Sequence, residues 1–113
     1  MTKSSQPYLK DIVAYCDRII KKLTDKSMED FRNDIDSQDA VIRRFEIIGE
    51  AVKRIPDEIK NKYPDVPWKN AAGFRDVLIH DYPDIVIDQV YITGKEHLPV
   101  FKKQIEEVIK NLD

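Results

Sequence analysis

From Tyr8 to Leu23 the apolar residues Leu9, Ile12, Val13, Cys16, Ile19, Ile20 and Leu23 recur at three- and four-residue intervals. That spacing is one stripe of an amphipathic helix. Ser27, followed by Glu29 and Asp30, marks a second helix start, with Met28 and Phe31 on a short apolar edge. Ser37 is a candidate N-cap for the longest periodic segment, Gln38 to Ile55. Its stripe runs through Val41, Phe45, Ile48, Val52 and Ile55, widened by Ile42, Gly49 and Ala51. A glycine inside a helix costs about 1 kcal/mol relative to alanine, so Gly49 is expected to serve the close approach of another helix. Pro56 disfavours helical geometry at Ile55 and marks a boundary. Asp57 and Glu58 then open a short helix that should end near Tyr63, before Pro64. Pro67 opens the next helix at a tolerated first position, with Asp65 or Val66 as its cap. That helix is expected over Pro67 to Asp81, because Pro83 biases Tyr82 away from helix. The run from Ile85 to Ile92 is rich in β-branched residues, yet Ile87, Val90, Tyr91 and Gly94 also share a helical face. A lone strand would have no partner, so helix is expected. In the last segment Leu98, Phe101, Ile105, Val108 and Leu112 repeat at helical spacing, with Pro99 in the first turn.

The pattern predicts one all-α domain over residues 1–113, an antiparallel bundle of five to six helices with short connections. Three glycines are too few for the turns of a sandwich or barrel. Nineteen basic against twenty-one acidic residues argue against a broad basic surface for nucleic acid. No apolar run is long enough to span a bilayer, and Met1 to Pro7 lack the apolar stretch of a signal peptide, so a cytoplasmic protein is expected. The single cysteine, Cys16, excludes an internal disulfide and lies in the first apolar stripe, where it reads as a small core hydrophobe.

The chemistry is concentrated in Trp68 to Tyr82. On a helix, Trp68, Ala71, Ala72, Leu78 and Ile79 make the expected buried face, and Arg75 falls in the middle of it. A guanidinium there is costly unless it is paired, with Glu46 or Glu50 for example, or opens onto a partner surface. Asp76 and His80 are spaced i, i+4, so the carboxylate is expected to orient the imidazole and raise its pKa. His80 in the last turn also suits a C-terminal cap. Arg75 and His80 stand about 140° apart on an ideal helix, so they converge only at the helix end or across two copies of the chain. His97 lies in a polar stretch and reads as surface. Asp76, His80 and Asp81 are a poor ligand set, and no metal or cofactor is expected. Asp76, Asp81, Asp84 and Asp88 crowd this region with acid, so a phosphate-bearing substrate requires Arg43, Arg44, Lys53, Arg54 or Lys69 to fold over the same place.

Arg75-Asp76-Val77-Leu78-Ile79-His80-Asp81-Tyr82 resembles the Arg-x4-His-x-Tyr signature of the HepT-type toxins, a group of HEPN domains. Gln38 to Ala51 resembles that family's central helix. Tyr63 to Trp68, Gly73 to His80 and His97-Leu98-Pro99 resemble further blocks, so the likeness runs from Tyr8 to Leu112. The resemblance implies a HEPN-like helical homodimer with motif helices facing across a cleft. It implies a metal-independent endoribonuclease, the toxin of a type VII-like toxin-antitoxin pair, acting on RNA without a cofactor. It implies a partner as well, a minimal nucleotidyltransferase (MNT) antitoxin that transfers AMP from ATP to the motif tyrosine. By position, Arg75 and His80 are the catalytic pair, Asp76 supports His80 and Tyr82 is the AMPylation site. Pro83 departs from the family pattern, beside the tyrosine to be modified. The alternative is a non-catalytic HEPN-fold module that binds a nucleotidyltransferase or nucleotides.

Overall fold

A computed structural model describes residues 5–80 and 87–112. The described residues form helices α1 (Gln6–Leu23), α2 (Met28–Arg32), α3 (Ile35–Lys53), α4 (Asp57–Lys62), α5 (Trp68–His80), α6 (Ile87–Ile92) and α7 (Leu98–Asn111). A π-helical turn, Thr93–His97, joins α6 to α7. The fold is the expected all-α bundle.

The predicted stripes are the core. Leu9, Ile12, Cys16, Ile19 and Leu23 of α1 are buried against Val41, Phe45, Ile48 and Val52 of α3 and Phe101, Ile105 and Val108 of α7. Long-range pairs set the helix directions. Arg44 reaches the Arg18 carbonyl while Arg54 lies over the Tyr8 ring, so α3 runs antiparallel to α1. Lys95 reaches the Leu23 carbonyl while Lys102 pairs with Asp17, so the α6–α7 rod is also antiparallel to α1. Burial raises the Cys16 thiol to about 12, so it stays protonated and acts as a packing group.

Local rules account for most helix ends. Ser27 caps α2 in a reciprocal capping box with Asp30, at 3.0 and 3.1 Å. The start of α3 differs from expectation. Asp34, not Ser37, is the N-cap, and its carboxylate accepts from the Ser37 backbone N–H at 3.0 Å and from the Ser37 hydroxyl at 2.6 Å. An ionised carboxylate outcompetes a hydroxyl for the free N–H groups, and Ser37 is buried in the first turn as its partner. The carboxyl of Asp34 is held well below the usual range by Ser37 first and then by Lys26. At the other end α3 stops at Lys53, two residues before Ile55 and clear of Pro56.

The corner after α1 is held from a distance. Asp25 takes a left-handed backbone, φ 63°, which an aspartate tolerates. The Tyr91 hydroxyl donates to the Lys26 carbonyl, and Lys95 Nζ donates to the Leu23 carbonyl at 3.1 Å. Both donors come from the ambiguous run and the π turn beyond it, which is helix from Ile87 onward because it docks here. Gly94 makes that docking possible. A Cβ on it would lie 2.5 Å from Leu23 Cδ1, 3.4 Å from Ile19 Cγ2 and 3.8 Å from Phe45 Cζ. Gly94→Val is expected to destabilise the fold by about 1–3 kcal/mol through overpacking, read as a lower urea midpoint with an unchanged slope.

Candidate functional site

Helix α5 lies antiparallel across α3. Phe74 meets Phe45 edge-on with ring centroids 5.0 Å apart, and Leu78 and Ile79 line a depression with Ile42. The two helices approach closely at Gly49. A Cβ there would overlap Arg75 Cβ and would sit 3.1 Å from Arg75 Cγ and 3.2 Å from the Ala71 carbonyl oxygen. The stem of Arg75 therefore occupies the space that Gly49 leaves empty.

The Arg75 side chain keeps 26% of its surface exposed. Its Nη1 donates to Asp76 Oδ1 at 3.2 Å, while its Nε is buried without an acceptor among the described residues. Neither Glu46 nor Glu50 pairs with it; Glu46 takes Arg43 at 3.4 Å and Glu50 takes Arg54 at 3.8 Å. Lys53 Nζ reaches the same Asp76 Oδ1 at 2.6 Å. These contacts hold the Asp76 carboxyl below the ordinary carboxylate range, through the Lys53 hydrogen bond first and then the charges of Lys53 and Arg75.

The expected support of His80 by Asp76 is not how the side chains are arranged. Asp76 is engaged by Lys53 and Arg75, and His80 is exposed at the end of α5 with no hydrogen bond among the described residues. A lysine on a neighbouring helix offers a full charge to the carboxylate, which an i, i+4 imidazole does not match. The buried face also differs. Trp68 and Leu78 are buried, Ala71, Ala72 and Phe74 partly so, but Ile79 is 41% exposed. The outer face carries Gly73, Val77 and His80 at i, i+4, i+7. Val77 is 48% exposed, and a Cβ on Gly73 would meet nothing within 4 Å.

The five cations expected around the motif divide. Lys53 joins Arg75 and Asp76. Arg43 flanks the depression that Ile42 and Ile79 line. Lys69 is exposed in the first turn of α5. Arg44 and Arg54 turn to α1, because each lies five residues from Gly49, about 140° around α3. Asp88 is neutralised by a cation from outside these five. Arg32 of α2 grips it with two bonds of 2.7 and 2.6 Å. No local spacing signals a pair fifty-six residues apart. Tyr82, Asp81, Pro83 and Asp84 lie outside the described residues.

On another edge of α5, Phe45, Ile48, Phe74, Leu98 and Phe101 line an apolar groove of about 300 Å³. His97, expected at the surface, is exposed and stands at this groove. Among the described residues no group of three or more His, Cys, Asp or Glu side chains is placed to hold a metal ion. No helix among them is long and apolar enough to cross a membrane.

Residues 12–108 match the family described as ribonuclease HepT-like. The chain belongs to the HepT-like ribonuclease family. A Methanocaldococcus jannaschii protein named "Putative RNase MJ0125" is 45% identical to it over 106 residues, 94% of this chain and 91% of that one. The "Probable ribonuclease HepT" of Thermococcus cleftensis is 39% identical over 110 residues, 97% of this chain and all of that one. No solved structure gives a significant match. In this HepT-like chain the motif arginine is thus seated on α3 and the motif histidine is exposed at the end of α5.

Gly49→Ala in the HepT-like fold is expected to lower stability by about 1–3 kcal/mol, despite the helix propensity that alanine adds. The added methyl overlaps Arg75 Cβ, at the base of its side chain, and crowds the Ala71 carbonyl oxygen, so the two helices must shift apart. Thermal unfolding of the purified variant checks this, and an unchanged or raised midpoint would contradict it.

Proposed function

We propose that this chain is a metal-independent endoribonuclease in which Arg75 and His80 act on RNA where two copies of the chain meet. The observation that carries the reading is the division of α5. Arg75 is seated towards α3, and His80 stands five residues on, about 140° around the helix and exposed. One copy of α5 does not aim both groups at one phosphodiester, whereas a second copy of the chain brings its own histidine and arginine, so that the two kinds of group can meet across the interface. Gly73 supports this. A glycine inside a helix carries a cost of about 1 kcal/mol, and nothing among the described residues requires its small size. Beside it, Val77 supplies apolar area for a facing helix.

Cleavage through the 2′-hydroxyl needs a base for its proton, an acid for the departing 5′-oxygen and a cation for the charge gathering on phosphorus. Imidazole serves as base or acid near neutrality, and guanidinium pairs with phosphate oxygens. Lys69, exposed in the first turn of α5, adds positive charge for the RNA backbone.

The finer reading is that of a toxin in a toxin-antitoxin pair. A minimal nucleotidyltransferase antitoxin silences it by transferring AMP to Tyr82. The added phosphate brings bulk and negative charge two residues from His80, where it competes with the substrate phosphate. This part rests on the motif resemblance alone.

With EDTA present, the purified protein is expected to cut tRNA or mRNA, and His80→Ala to lose about 100-fold or more of that activity with its fold intact by circular dichroism. Equal cleavage by wild type and variant would mark a contaminant, and a function untouched by His80→Ala would favour a non-catalytic binding module. Separately, Gly73→Leu is expected to convert a dimer to monomer in light scattering; a dimer that survives it places the interface elsewhere.

A further inference from the structure

We propose that Lys53 is a positioning residue for RNA cleavage, acting on Arg75 through the Asp76 carboxylate; this rests on the reading of Arg75 as the catalytic cation. Lys53 Nζ and Arg75 Nη1 converge on one oxygen, Asp76 Oδ1, at 2.6 and 3.2 Å. Neighbouring residues on a helix diverge by about 100°, so Arg75 and Asp76 meet only because the carboxylate is drawn back towards α3. Lys53 draws it there. At the other edge of the guanidinium, Nε is buried with no acceptor among the described residues. The orientation of the head group therefore depends on the Nη1 contact with Asp76.

Gly49 and Lys53 stand four residues apart on one side of α3. The first leaves room for the stem of Arg75, and the second anchors the carboxylate that aims its head. Charge has the same consequence. Asp76 alone would neutralise Arg75, but Lys53 leaves the three groups with one net positive charge to meet a phosphate. Lys53 is 42% exposed, so its removal is compatible with folding.

The test compares steady-state RNA cleavage by the full-length wild type, Lys53→Met, Lys53→Arg, Asp76→Asn, His80→Ala and the Lys53→Met/Asp76→Asn pair. Lys53→Met is expected to lower kcat about 10-fold with KM within about threefold, and Lys53→Arg to recover most of the loss. In the Asp76→Asn background Lys53→Met should cost less than about twofold, because the residue acts through a carboxylate no longer there. Carboxyl NMR should show Asp76 titrating closer to an ordinary aspartate in Lys53→Met. Wild-type kcat in Lys53→Met overturns the proposal, as do equal losses in both backgrounds or an unmoved Asp76 titration. A loss confined to KM, with a shallower salt dependence, would make Lys53 a direct RNA contact and also overturns it. Should Lys53→Met unfold, Lys53→Gln takes its place with the same expectations. If the wild type does not cleave, or His80→Ala cleaves equally, the ribonuclease reading falls and this role with it. Cleavage lost in His80→Ala but kept in Lys53→Met removes the role alone.

Discussion

The contact between Gly49 and the Arg75 stem sets the register of α5 on α3. A helix can slide and roll on its neighbour unless one contact is too close to tolerate either movement. Here the Cβ of an arginine fills the place of a missing Cβ, and the rest of the interface follows in step. One turn back along α3, Phe45 meets Phe74; one turn on, Lys53 meets Asp76. The glycine weakens α3 as an isolated helix by about 1 kcal/mol, and the packing of α5 offsets that loss. A stability defect at Gly49 would therefore also be a defect in where the guanidinium is held.

Seating Arg75 in this way has an unfavourable side. A buried N–H without an acceptor costs about 1–3 kcal/mol, and Arg75 Nε is such a group among the described residues. A protein selected for stability alone would place a leucine or methionine there. The structure instead keeps the guanidinium and supplies it with a carboxylate, which in turn has its own lysine. Each member makes sense only through the next, as expected of a set held for position.

Much of the fold was legible because the apolar residues of α1, α3 and α7 repeat at helical intervals over many turns, with Pro56 just beyond the end of α3 and Pro99 in the first turn of α7. The close approach at Gly49 was also legible, since a glycine in a helix interior asks for a reason. Contests between neighbours were not. Asp34 and Ser37 are both good caps, and only the geometry of the free N–H groups decides for the aspartate. Asp76 had His80 within reach along the helix, but Lys53 arrives from another helix with a full charge. Arg44 and Arg54 share their segment with Lys53, yet a rotation of about 140° sends them to α1. The motif residues themselves stood out as residue types out of place, whereas their partners are fixed by packing over distances that periodicity does not encode.

The overall charge of -2 also misleads about the site. Screening in physiological salt limits an exposed charge to about 8 Å, so a bound phosphate would feel the groups beside it more than the sum over the chain. Of the four aspartates that crowd the motif, Asp88 is consumed by the two bonds from Arg32, and Asp76 is shared by two cations. Around Arg75 the balance of these described partners is therefore positive although the motif reads as acidic. Pairing decides the sign of a local field, and it does so through contacts as long-range as Arg32 with Asp88. Composition argued against a broad basic surface; among the described residues the helix crossing sets Arg75 and Lys53 against Asp76 alone, a small local excess of positive charge.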